Sequence, residues 1–218
     1  MAIGVPERVR VLEVFADVWC PFTHVGLRRL VEQRAQLGRD DVVVWVRAWP
    51  LELVNGEPLS ADLVAEEIQA LREAVAPDLF AGFNPERFPS TSLPALTLAA
   101  SAYRRDDRTG EQVSLALRTA LFEDGRDIAD PAELAAIAHA IELEPPGANA
   151  EQAIHDDWQE GRRRGVVGSP HFFVDHHGFF CPTLAINRVG DHLRITRDRE
   201  RFEAFMATVF ASPRQITR

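Results

Sequence analysis

Lysine is missing from this sequence: all 24 basic residues are arginine. The skew matches coding in a GC-rich genome and needs no functional reading. Acidic residues number 33, leaving a formal net charge of -9. That balance argues against nucleic acid as a partner, since such binders present a basic face. The tightest basic cluster, Arg162-Arg163-Arg164, precedes Gly165 at an expected helix end, where complementarity to the helix dipole accounts for it. Long apolar runs are lacking too; none approaches the ~18 residues that a spanning helix requires. Nor does the N-terminus offer a signal-peptide core, because Glu7, Arg8, Arg10 and Glu13 interrupt it. The expectation is a cytoplasmic protein with no membrane partner. Cysteine occurs only twice, as Cys20 and Cys181. In a reducing compartment so few thiols point to reactive or buried groups rather than a structural disulfide. Repeats and low-complexity tracts are also absent. With 46% hydrophobic and 26% charged residues, the 218-residue chain is globular. Its length suits one large domain, or one domain carrying a sizeable insertion.

Residues 9–16 are apolar, β-branched and nearly alternating, which predicts a strand. Cys20 and Pro21 follow, and proline is tolerated at the first position of a helix. Val25, Leu27, Leu30, Val31 and Leu37 give that helix an apolar stripe ending at Gly38. Residues 42–49 open as a continuous apolar run, as in a buried parallel strand. From 59 to 165 no strand signal appears. Helices are expected over 61–75 with Ser60 as cap, over 94–105 opened by Pro94, and from a capping box at Thr109-Gly110-Glu111-Gln112 to about Gly125. Two more should run from Asp130-Pro131 to Leu143 and from Asn149 to Gly165. The stretch 76–93 is a loop packed by aromatics. Strands return at 171–175, then at 179–187 and 191–196, with turns at His177-Gly178 and around Val189-Gly190-Asp191. The chain closes on a helix over 198–211, where Phe202, Phe205, Met206, Val209 and Phe210 fall at helical spacing. This order predicts an α/β, thioredoxin-like fold with an all-helical domain inserted: 1–58 and 151–218 form the thioredoxin-like domain, and 59–150 the insertion.

Cys20 stands where a strand ends and a helix begins. Unpaired N–H groups and the helix dipole stabilise an anion there. Such placement typically lowers a thiol pKa from ~8.5 into the range ~3.5–7.5, so Cys20 is expected to be a reactive thiolate. The bland alternative is a small buried hydrophobe.

Trp19-Cys20-Pro21-Phe22-Thr23 resembles the C-P-x-C motif of the DsbA family of thioredoxin-fold oxidoreductases. Asp17-x-x-Cys20-Pro21 and Gly26 resemble its cytosolic, FrnE-like branch. Gly165-Val166-Val167-Gly168-Ser169-Pro170 before a Phe-rich strand resembles the family's cis-proline loop, and Leu121–Ile128 a recurrent segment of its helical insertion. The resemblance covers nearly the whole chain. It implies a thiol–disulfide oxidoreductase in which Cys20 is the nucleophile and Thr23 its hydrogen-bond partner. Trp19, Pro21, Phe22, Ser169 and Pro170 would then bind substrate, with the Ser169 backbone pairing with an extended thiol substrate.

Thr23 is the departure from the motif. A second cysteine at its position would attack the mixed disulfide and release product, and threonine cannot. Three outcomes follow. One is a monothiol enzyme resolved by a low-molecular-weight thiol such as glutathione or mycothiol, with no tightly bound cofactor. Another is resolution by Cys181, although its neighbours Phe179, Phe180 and Pro182 read as the surroundings of a buried thiol. Or the chain has left redox chemistry. The resemblance then extends to kappa-class glutathione transferases and 2-hydroxychromene-2-carboxylate isomerases, whose Ser-Pro motif places serine where Cys20 stands, or to a non-catalytic thiol-binding module. His24 and His171 are either modulators of the thiol or a solvent-facing and a packed imidazole. Cys20, His24, His177 and Cys181 match no zinc spacing, so no metal is expected. The partners are a small-thiol or protein-thiol substrate.

Overall fold

The computed structural model describes residues 9–147, 149–189 and 192–211. Strand β1 (Arg10–Ala16), helix α1 (Pro21–Gln36) and strand β2 (Val42–Ala48) form a parallel unit, Arg10 pairing with Val42 and Ala16 with Ala48. A five-residue helix α2 (Leu51–Asn55), not foreseen from sequence, follows and is stopped by Gly56 at φ 79, a left-handed conformation that glycine adopts freely. Helices α3 (Ala61–Ala74), α4 (Leu93–Arg105), α5 (Asp107–Phe122), α6 (Pro131–Ala140) and α7 (Ala150–Arg163) then intervene. Strands β3 (His171–Val174) and β4 (His177–Phe180) complete a four-stranded sheet in the order β2-β1-β3-β4, with β3 antiparallel to both neighbours. A separate hairpin, β5 (Leu184–Val189) and β6 (His192–Arg197), precedes the closing helix α8 (Arg199–Val209).

Side chains alternate across β1, as a strand requires. Leu12, Val14 and Ala16 join Leu27 and Leu30 of α1 and Phe205, Met206 and Val209 of α8. Phe15 turns the other way, onto Trp49, Val166 and Phe173. Helix α7 reaches that second face closely: a Cβ at Gly161 would lie 2.6 Å from Trp49 and 3.0 Å from Phe15. A third and larger cluster runs from Val18, Trp19, Cys20 and Phe22 through α3, α4 and α5 to Cys181, Leu184 and Ile195. The core of the helical segment is therefore continuous with the floor beneath Cys20.

Three local expectations are corrected. The cap of α5 is Asp106, whose carboxylate accepts from the Thr109 N–H at 2.9 Å, so Thr109 lies inside the helix rather than before it. The turn after β3 is Asp175-His176, with Asp175 at φ 55, and His177-Gly178 belong to β4. Leu37 is half exposed and not part of the α1 stripe. The turn expected at Gly190-Asp191 lies outside the described residues.

Candidate functional site

Cys20 is the N-cap residue of α1 (φ -78, ψ 115), with Pro21 in the first turn and the Cys20 carbonyl accepting from the His24 N–H at 3.2 Å. Local sequence explains this placement, because an extended residue must precede the proline-opened helix. The thiol donates to the Ser169 carbonyl at 3.2 Å. The Ser169 hydroxyl lies 2.9 Å from the Thr23 hydroxyl and accepts from the Asp17 N–H at 3.0 Å. The Ser169–Pro170 peptide bond is cis. Cys20, Thr23, Ser169 and Pro170 are thus gathered in one place, although nearly 150 positions of chain separate the two segments.

The thiol itself departs from expectation. Cys20 is 3% exposed. Burial pushes its pKa above the ordinary thiol value, against the lowering influence of the Thr23 and Ser169 hydrogen bonds. The helix N-terminus alone predicts a thiolate; desolvation outweighs it here. Glu67 of α3 adds a smaller push in the same direction, and α3 packs beside α1 and against β6.

Trp19 is fully buried and stacks on Phe88 with ring centroids 5.6 Å apart, and Phe22 is also buried. Neither side chain is open to a substrate in this arrangement. His24 points away from the thiol into the helical segment. Its Nε2 meets Glu123 at 2.6 Å between Phe80 and Phe122, and Glu123 also accepts from the Phe80 and Ala81 N–H groups. His171 stacks on Phe173 at 4.7 Å and accepts from the Val167 N–H, steadying the loop before Ser169. The largest influences on the Cys20 thiol are burial, Thr23, Ser169 and Glu67. Cys181 is buried, and its N–H donates to the Pro170 carbonyl at 3.0 Å.

Sequence reasoning missed the ionic floor of the site. Asp17 is fully buried; one carboxylate oxygen accepts from the Leu51 N–H (2.6 Å) and the Ser92 hydroxyl (3.2 Å), and the other has no partner among the described residues. Burial raises its pKa to about 7. Arg118 of α5, 1% exposed, reaches the Asp17 carbonyl at 3.0 Å and anchors on Ser114, and burial lowers its pKa to about 10. Asp17 carried one signal, a carboxylate three residues before Cys20 in an apolar stretch. Arg118 carried none, being one arginine among many on an amphipathic helix.

Against known proteins, the profile of the DSBA-like thioredoxin domain matches residues 11–194. No curated protein matches the sequence. Among solved structures, a 2-hydroxychromene-2-carboxylate isomerase is similar at TM-score 0.61 and 13% identity, over 78% of this chain and 88% of that one. The cytosolic disulfide reductase DsbM from Pseudomonas aeruginosa, solved with GSH, is similar at 0.60 and 16%, over 78% and 88%. A putative protein disulfide isomerase from Nitrosomonas europaea is similar at 0.59 and 16%, over 91% and 96%. At these identities the likeness is one of fold.

Proposed function

The chain belongs to the DSBA-like thioredoxin domain family, and on that premise we propose that it is a thiol–disulfide oxidoreductase working through Cys20. One observation carries the reading: the thiol at the N-terminus of α1 sits 3.2 Å from the Ser169 carbonyl, on the loop that leads into Pro170 and β3. An extended substrate segment pairing with the Ser169 backbone would add itself as a short strand. In doing so it would compete for the carbonyl that now accepts the thiol proton. Docking thereby frees Cys20, and the Thr23 hydroxyl is left as donor to the thiolate.

The thiolate then attacks a substrate disulfide and forms a mixed disulfide with Cys20. Thr23 cannot release it, so a further thiol must. In the proposed cycle Cys20 is the attacking thiol, Thr23 its donor, and Ser169 with Pro170 the docking loop. A small thiol, glutathione or mycothiol, supplies reducing equivalents; the similar DsbM was solved with GSH. A cytoplasmic setting belongs to the same proposal. Among the described residues no helix is long and apolar enough to cross a membrane.

The test is mass spectrometry of the reduced protein after incubation with glutathione disulfide, joined to an insulin-reduction assay. Cys20 should acquire a glutathione adduct or a disulfide, and Cys20→Ser should lose both adduct and turnover. Thr23→Cys should raise dithiol turnover. Glutathione held without covalent capture would instead favour a transferase or isomerase on the same fold.

A further inference from the structure

The two cysteines, far apart in sequence, converge on one loop. Cys20 Sγ donates to the Ser169 carbonyl at 3.2 Å, and the Cys181 N–H donates to the very next carbonyl, Pro170, at 3.0 Å. Both residues are 3% exposed and lie in the same buried cluster. Cys181 follows the last residue of β4 and holds φ 41. A non-glycine residue adopts this left-handed conformation at a cost, and such positions concentrate at functional sites. The chain thus sets its only other thiol at a strained position beside the loop that receives Cys20.

We propose that Cys181 is the resolving thiol, closing an intramolecular Cys20–Cys181 disulfide. The proposal rests on the reading of Cys20 as the attacking thiol. In the first step the Cys20 thiolate attacks one sulfur of a substrate disulfide R–S–S–R′. The S–S bond breaks, and R′S⁻ leaves and takes up the proton that Cys20 gave up. In the second step Cys181, having lost its proton, attacks Cys20 Sγ. The bond between Cys20 and RS breaks, and RS⁻ leaves as a thiol with that proton. One substrate disulfide has become two thiols, and two protein thiols have become one disulfide. An external thiol reductant then restores both cysteines.

Burial, with a contribution from the Cys20 charge, holds the Cys181 thiol up at about 12. The Cys20 contribution vanishes once Cys20 is neutral in the mixed disulfide. Ionising Cys181 is therefore less costly at the step that needs it than while Cys20 is the thiolate, although burial, the larger cause, persists. This ordering suits a resolving group better than a competing nucleophile.

The experiment oxidises the fully reduced protein with one equivalent of glutathione disulfide, quenches with acid, and maps adducts and disulfides by mass. Wild type, Cys181→Ala and Cys181→Gly are compared, the last because glycine takes φ 41 without strain and preserves the turn. Wild type should lose both free thiols as one intrachain disulfide and retain no glutathione. In both variants the adduct should remain on Cys20 and persist at least about tenfold longer than in wild type. An adduct on wild-type Cys20 that persists as long as in the variants, with Cys181 still alkylatable, would overturn the inference and leave the Cys20 chemistry standing. A disulfide between two chains would also overturn it. If no protein forms an adduct or a disulfide at Cys20, the oxidoreductase reading falls with it.

Discussion

At Cys20 two physical effects oppose each other. The open N–H groups at the start of α1 favour a thiolate, and removal from water favours the thiol. With 3% of its surface exposed, burial dominates and the proton stays on sulfur, held by the Ser169 carbonyl. In the resting protein, Cys20 should therefore react with iodoacetamide more slowly than free cysteine at neutral pH. Its rate should still be climbing above about pH 9. A rate that levels off below pH 8 would show that the thiol is not buried in solution. Asp17 obeys the same rule, and its consequence for stability falls in the acid-to-neutral range. Its folded pKa of about 7 lies above the unfolded value of 3.8, so between those two the folded state binds more protons. Stability from this group is present at low pH and falls as pH rises from about 4 to about 7. Comparing denaturant unfolding of wild type and Asp17→Asn across that range should isolate it. The difference should grow with pH, by roughly 1–4 kcal/mol in total. A pH-independent difference would mean that Asp17 ionises normally.

At the scale of elements, α5 ties the helical segment to the sheet. Glu111, nearly buried, receives both terminal nitrogens of Arg34 from α1 and the Val44 N–H from β2. One residue earlier Gly110 lets α4 approach: a Cβ there would fall 2.1 Å from the Tyr103 ring. Tyr103 cannot easily withdraw, because its hydroxyl accepts from the Val46 N–H and donates to the Val44 carbonyl, both at 2.9 Å. Gly110→Ala should then destabilise by at least about 1–3 kcal/mol, although alanine is the better helix former by about 1 kcal/mol. Thermal unfolding of the variant checks it; an unchanged or raised midpoint would show that α4 and α5 are not so closely packed. The same helix carries Arg118 beneath the Cys20 loop, so a packing loss at Gly110 should be felt at the site as well.

At the scale of the whole molecule, one apolar cluster passes from the Cys20 floor through α3, α4 and α5 to the β5–β6 hairpin, and Tyr103 of α4 and Leu115 of α5 pack against the cluster of the four-stranded sheet. Sheet and helices should therefore unfold together. Tryptophan fluorescence and far-UV circular dichroism should give one coincident denaturation transition; two separated transitions would contradict the shared core. Much of this architecture was legible in the chain. The β1–α1–β2 unit, the loop at 76–93 and the α8 stripe follow from periodicity and from Pro21, Pro94 and Pro131, signals that act within a turn or two. The cap of α5 and the turn after β3 were misplaced by a few residues because Asp106 and Thr109, or Asp175 and His177, offer near-equal local chemistry. Tertiary pairing chooses between them, as when His177 pairs with Val174. The sequence alone determined that Cys20 would stand at the head of a helix with threonine where a second thiol could have been. Only the tertiary structure decided that this thiol is buried and protonated, that Arg118 and Asp17 lie under it, and that Cys181 shares its loop. Helix starts are set by neighbours along the chain, whereas desolvation and convergence are set by residues brought together from distant segments.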